Sequence, residues 1–150
     1  MSEEIVIYTL GHSNRELNEL INLLKKYNIK LLIDVRRFPT SKRYPHFNRE
    51  NLGKVLNKYG IAYVWLGSKL GGFRSGGYKA YMNTEEFREG LRNLLSLINN
   101  LKEGHAVIMC RERLWFKCHR RFIADELVKL GYKVTHIING KRVYTHKVKS

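Results

Sequence analysis

With 150 residues and 43% hydrophobic side chains, the chain has the size and apolar content of one domain able to bury a core. It has no membrane-length apolar run and no charged-then-apolar leader, so the expected compartment is the cytosol. The formal net charge of +15 points to polyanionic partners, nucleic acid first and phosphorylated small molecules second, with a merely solubilising surface as the alternative. Ten of the basic residues lie between Arg36 and Lys79, where Glu50 is the single acid.

In chain order, Glu4 to Leu10 reads as a short buried strand that ends at Gly11-His12-Ser13. Ser13 and Glu16 have capping-box spacing, so a helix is expected from about Asn14 to Tyr27. Lys30 to Val35 is a near-continuous apolar strand, as in a sheet covered on both faces. A long loop with Pro39 and Pro45 follows, and Asn48 then caps a helix closed by Gly60. Ile61 to Leu66 is the third strand, and Gly67 to Tyr81 is too rich in glycine for a regular element. Asn83 or Thr84 caps a helix that ends before Gly104, and His105 to Met109 is the fourth strand. Arg121 to Leu130 is the last full helix, stopped by Gly131, and Lys133 to Ile138 is the fifth strand. Asn139-Gly140 is a hairpin signal, so Lys141 to Thr145 should return antiparallel at an edge.

This alternation predicts a single α/β domain over residues 1–150. Its form is a three-layer sandwich with a mainly parallel sheet of about five strands, helices on both faces and a C-terminal antiparallel edge strand. The pattern leaves strand order and oligomeric state open.

Parallel strands open all their carboxyl ends on one rim, where ligands bind in such sheets. Four polar segments follow strand ends: Gly11-His12-Ser13, Asp34 with Arg36 and Arg37, Gly67, and Cys110 with Glu112. The candidates for catalysis are Cys118, Glu112, Asp34 and His12. Cys118 should sit at a helix start, where the dipole and neighbouring arginines favour a thiolate; a packing cysteine is the alternative. Glu112 and Asp34 are candidate acid or base groups, or partners of nearby arginines. His12 and His119 are candidate proton carriers, ligand contacts or backbone caps. Ser13, Arg36, Arg37, His119 and Arg120 are the candidate anion contacts. Arg43, Lys69 and Arg74, interleaved with loop aromatics, are the candidate nucleic-acid contacts.

Cys110 leaves an apolar strand and is expected to be buried and inert. The two cysteines could pair as a disulfide, but free thiols, metal ligands or a reactive cysteine suit a cytosolic chain better. Cys110, Cys118, His119 and His12 could bind zinc in principle; their spacing matches no standard knuckle, so no metal or cofactor is expected. Neither cysteine opens a Cys-x5-Arg phosphatase loop, and no P-loop or dinucleotide fingerprint occurs.

Eight ordered motifs then make a resemblance. Gly11-His12-Ser13, Asp34-Val-Arg36-Arg37-Phe-Pro39, Phe47-Asn48, Leu70-Gly71-Gly72, Tyr81-Met82, Glu86-Phe87, Cys110-x-Glu112 and Cys118-His119-Arg120 resemble the family catalogued as domain of unknown function 488. The resemblance runs from Tyr8 to Ile137. It implies an α/β domain and a motif set but no reaction. The chain departs from the pattern at Arg111, where a small residue is usual, and at Leu114-Trp115, where a polar residue and proline are usual. The expected function is an enzyme acting on a nucleotide or nucleic acid at the rim, with a non-catalytic nucleic-acid-binding module as the alternative.

Overall fold

The computed structural model describes residues 5–148. Its elements run β1 (Val6–Gly11), α1 (Leu17–Lys26), β2 (Ile29–Asp34), α2 (Arg49–Lys58), β3 (Ala62–Trp65), α3 (Gly67–Leu70), α4 (Tyr78–Tyr81), α5 (Glu85–Asn99), β4 (His105–Cys110), α6 (Arg120–Lys129), β5 (Lys133–Asn139) and β6 (Arg142–Thr145). They form one six-stranded sheet in the order β3-β2-β4-β1-β5-β6. The first five strands pair in parallel, and β6 returns antiparallel to β5 after the Asn139-Gly140 turn. The fold is therefore the expected mainly parallel α/β sandwich with an antiparallel C-terminal edge.

Successive residues of a strand point to opposite faces, and each face here has its own core. Leu31, Ile33, Val35, Ala106, Ile108 and Cys110 pack with Phe87, Leu94 and Ile98 of α5 and with Ile123 and Leu127 of α6. Leu32, Val107 and Met109 pack with Leu20 and Leu24 of α1 and with Leu52 and Leu56 of α2. Cover on both sides explains why β2 and β4 read as continuous apolar runs. Each fully buried Leu or Ile contributes roughly 1.5–3 kcal/mol. Thr84 caps α5 as expected, its Oγ1 accepting from Phe87 N at 3.2 Å, and Glu85 and Glu86 complement the helix dipole. Among the described residues no helix is long and apolar enough to cross a membrane.

Three local expectations are corrected. Helix α1 starts at Leu17 rather than Asn14, and Ser13 does not cap it. Ser13 has a left-handed φ of 48° and its N–H donates to Arg111 O at 2.9 Å, so the turn after β1 is held by the segment after β4. Asn48 does stand at the start of α2, but its Oδ1 accepts from Ser41 N and folds the proline loop back instead of capping. Residues 67–81 are not wholly irregular: α3 and α4 are single helical turns there, and Gly77, at φ 91°, leads into α4.

Strand order positions the site. β4 lies between β2 and β1, and the helices following those two strands cover one face while α6, following β4, covers the other. The chain thus parts at the carboxyl end of β4, and Cys110 stands at that opening.

Candidate active site at the carboxyl rim

The floor is built on Asp34, the last residue of β2, which is fully buried. Its Oδ1 accepts from Arg36 N at 3.0 Å and Arg36 Nε at 2.9 Å; its Oδ2 accepts from Arg36 Nη2 at 2.7 Å and from the Tyr63 hydroxyl. Burial, with Asp34 beside it, pushes the Tyr63 phenol far up, so it stays protonated and donates. Arg36 Nη1 donates to His12 Nε2 at 3.2 Å. An arginine cannot accept, so His12 carries its proton on Nδ1 and donates it to Ser13 O at 2.9 Å. Burial, and then the Arg36 charge, lower the His12 pKa to about 4, which keeps the imidazole neutral.

Above this floor stand the two cysteines, as free thiols with Sγ atoms 2.8 Å apart. Cys110 is buried at the end of β4; Cys118 lies two residues before α6 and reaches the cleft. His119 Nε2 donates to Val35 O at 3.0 Å, and its Nδ1 faces Cys118 Sγ at 3.5 Å. The first N–H of α6, on Arg120, also points at that sulfur, at 3.5 Å. The hydrogen bond from Cys110, followed by His119 and Arg120, lowers the Cys118 pKa despite its burial. Burial, and then the bond to Cys118, raise the Cys110 thiol. The pair is therefore asymmetric: Cys110 holds its proton more tightly, and Cys118 gives its proton up more readily.

The loop joining them is fixed at several points. Arg120 turns inward, is 1% exposed, and donates to Thr9 Oγ1 at 3.0 Å, Glu112 O at 2.8 Å and Arg113 O at 3.3 Å. Trp115 stacks on His136, with ring centroids 4.5 Å apart and planes at 2°, and on Tyr144 at 5.3 Å. Two glycines allow the strand-end segments to meet backbone to backbone. A Cβ on Gly11 would lie 1.8 Å from Glu112 O, and one on Gly67 would lie 1.7 Å from Arg36 O.

The segments enclose a cleft of about 910 Å³. Arg36, Arg37, Arg43, Arg111, Arg113, Lys117 and Arg121 line it, and Glu112 is the one carboxylate among its lining residues. Phe73 (84% exposed), Phe38 (62%) and Phe116 (46%) stand at its walls. Such surfaces, left in water beside cations, suit a flat ring joined to an anion.

A family model described as domain of unknown function DUF488 matches residues 16–127, which span the floor, both cysteines and the loop between them. The chain belongs to the DUF488 family. No curated protein and no solved structure matches it. The matched segment begins after Gly11-His12-Ser13, yet in this DUF488 domain that turn completes the site by hydrogen bonds to Cys110 O and Arg111 O.

The structure brings His12, Ser13, Arg36, Arg37, Arg43, Glu112, Cys118 and His119 to one cleft. Asp34 lies beneath it with its oxygens occupied by Arg36 and Tyr63. Arg120 is corrected from an anion contact to a clamp on the loop, because carbonyl oxygens under the loop take its guanidinium. Lys69 and Arg74 are likewise outside the cleft lining. Lys69 pairs with Glu89 at 3.2 Å, and Arg74 donates to Gly71 O and Ser68 O while covering the Tyr81 ring at 3.9 Å. Among the described residues no three His, Cys, Asp or Glu side chains gather as a metal site.

Sequence reasoning missed Arg111, Arg113, Lys117 and Arg121 as cleft cations, although the charge density of the loop was visible. It also missed a buried chain behind the loop. Arg120 donates to Thr9, Thr9 to His136 Nδ1, His136 Nε2 to His146 Nδ1 at 2.9 Å, and His146 Nε2 to Asp125 Oδ1 at 2.6 Å. No local spacing marks these residues; sheet pairing gathers them.

Proposed function

We propose that this DUF488 protein is an enzyme that binds a nucleotide or nucleic-acid phosphate in the rim cleft and uses Cys118 as its nucleophile. The observation that carries the reading is a thiolate-favouring cysteine at a helix start, opening into a cleft with seven cations and one carboxylate. Arg37, Arg43, Arg111 and Lys117 hold phosphate, and the exposed phenylalanines stack a base. Glu112, the carboxylate in the lining, serves as acid or base at the leaving group. Asp34 and His12 are positioning residues that fix Arg36. Free thiols in contact fit a reducing, cytoplasmic compartment. A second reading, a binding module without chemistry, draws on Phe38, Phe73 and Phe116, which would serve stacking equally well.

The test is binding and turnover of a nucleotide and oligonucleotide panel across a salt series. With about five phosphate contacts, the logarithm of duplex affinity falls with the logarithm of salt at a slope of roughly −4. Replacing Arg43, Arg111 and Lys117 together with alanine is expected to flatten that slope by about two to three units. Cys118→Ala is expected to abolish turnover with the slope unchanged. Binding without turnover of any substrate would favour the module, and no affinity at low salt would remove both readings.

A further inference from the structure

We propose that Cys118 and Cys110 form a two-electron thiol–disulfide couple, Cys118 attacking and Cys110 resolving, whose oxidant is an anionic low-molecular-weight disulfide. This goes beyond the proposed function: it shares Cys118 with that reading but requires no phosphate. Three features of the geometry carry it.

The sulfurs are already in contact at 2.8 Å, so closing the bond needs no unfolding of the segment between them. Their accessibility divides the two roles. Both cysteines border the cleft of about 910 Å³, but Cys110 is 1% exposed and sits behind Cys118, which is partly exposed and has room beside it for the incoming group. The cleft charge selects the oxidant, because Arg37, Arg43, Arg111, Lys117 and Arg121 surround the approach to Cys118 and favour a disulfide that carries carboxylates.

The electrons balance in two exchanges. The Cys118 thiolate attacks one sulfur of the disulfide R–S–S–R, forming a Cys118–S–S–R mixed disulfide and expelling R–S⁻. Cys110 then gives its proton to the expelled R–S⁻ and, as a thiolate, attacks Cys118 Sγ, breaking the bond to the second R–S group, which leaves as R–S⁻. The protein loses two electrons, the small disulfide gains them, and two equivalents of the small thiol leave. A thiol reductant reverses both steps. The Cys110–Cys118 bond removes the free thiolate from the cleft, so oxidation also silences any chemistry that Cys118 performs.

The experiment exposes reduced full-length protein to glutathione disulfide at low salt and follows intact mass and free thiols. The expected wild-type product has lost the mass of two hydrogens, retains no glutathione, and has no free thiol. Cys110→Ser and Cys110→Ala are each expected to stop at a stable mixed disulfide on Cys118, and Cys118→Ser to remain unmodified. The neutral disulfide of 2-mercaptoethanol is expected to react about tenfold more slowly or worse. A wild-type chain that keeps the glutathione adduct, or that does not react, overturns the couple. Cys110 variants that end without an adduct overturn the resolving role, and equal rates with neutral and anionic disulfides overturn the choice of oxidant. Failure here leaves the nucleotide salt series untouched, and failure there leaves this exchange intact, so the two ideas are separable.

Discussion

Asp34→Ala is expected to remove about 3–5 kcal/mol of stability, the cost of breaking a buried ion pair from one side. Asp34 is fully buried and Arg36 is 5% exposed. Removing the carboxylate leaves the guanidinium without its two side-chain bonds, takes the acceptor from Tyr63, and frees the arginine that holds His12. Against a typical total of about 5–15 kcal/mol, the variant would be marginal. Urea denaturation should show a lower midpoint with an unchanged slope. Arg36→Met added to Asp34→Ala should recover part of the loss, because the unpaired buried charge is then gone. A loss below about 1 kcal/mol would mean that Arg36 finds other partners, and that the floor is less dependent on Asp34 than its four accepted bonds imply.

Gly11→Ala is expected to cost about 3 kcal/mol, at the upper end of overpacking effects, and to disorganise the cysteine pair. The new methyl would overlap Glu112 O at 1.8 Å and Arg113 Cα at 2.9 Å. Both belong to backbone, so the whole segment after Cys110 must move. That segment also carries the carbonyl groups that Arg120 clamps, so the displacement reaches the start of α6 and Cys118. Gly60→Ala is the control. Its φ of +74° imposes backbone strain, but nothing lies within 4 Å of the added methyl, and it should cost about 1 kcal/mol with no change at Cys118. Urea midpoints and Cys118 alkylation rates on the two variants check this. Equal behaviour of the two would show that the close approach at Gly11 does not matter.

Features encoded by neighbouring residues were legible in the sequence. The Thr84 cap, the Asn139-Gly140 hairpin and the apolar runs of β2 and β4 each rest on a few adjacent positions. The convergence of strand-end motifs followed from parallel strands alone. Contacts between segments far apart in the chain were not legible. Ser13 looked like a helix cap because Glu16 follows at the right spacing, but Arg111 takes its backbone N–H and sets its conformation. Arg120 and Arg74 looked like free cations, but Arg74 donates to Gly71 O and Ser68 O and Arg120 to Glu112 O and Arg113 O, partners set by how their own loops fold and marked by no spacing. The 2.8 Å contact of Cys110 with Cys118 has the same origin, since it depends on how the loop folds between the Arg120 clamp and the Trp115 stack.

The central claim is that Cys118 stands in the rim cleft as a thiolate, and its alkylation rate as a function of pH tests that most directly. Only the thiolate reacts, so an ordinary thiol, with a pKa of about 8.5, loses reactivity about tenfold for each pH unit below that value. Because the Cys118 pKa is lowered, its thiolate persists as pH falls, and the rate with iodoacetamide should stay nearly flat from pH 8 down to about 6. Cys110, raised and buried, should remain unmodified over the same range, as read by peptide mass spectrometry. A Cys118 rate that drops about tenfold per unit from the ordinary thiol pKa downward, or preferential labelling of Cys110, would contradict the account.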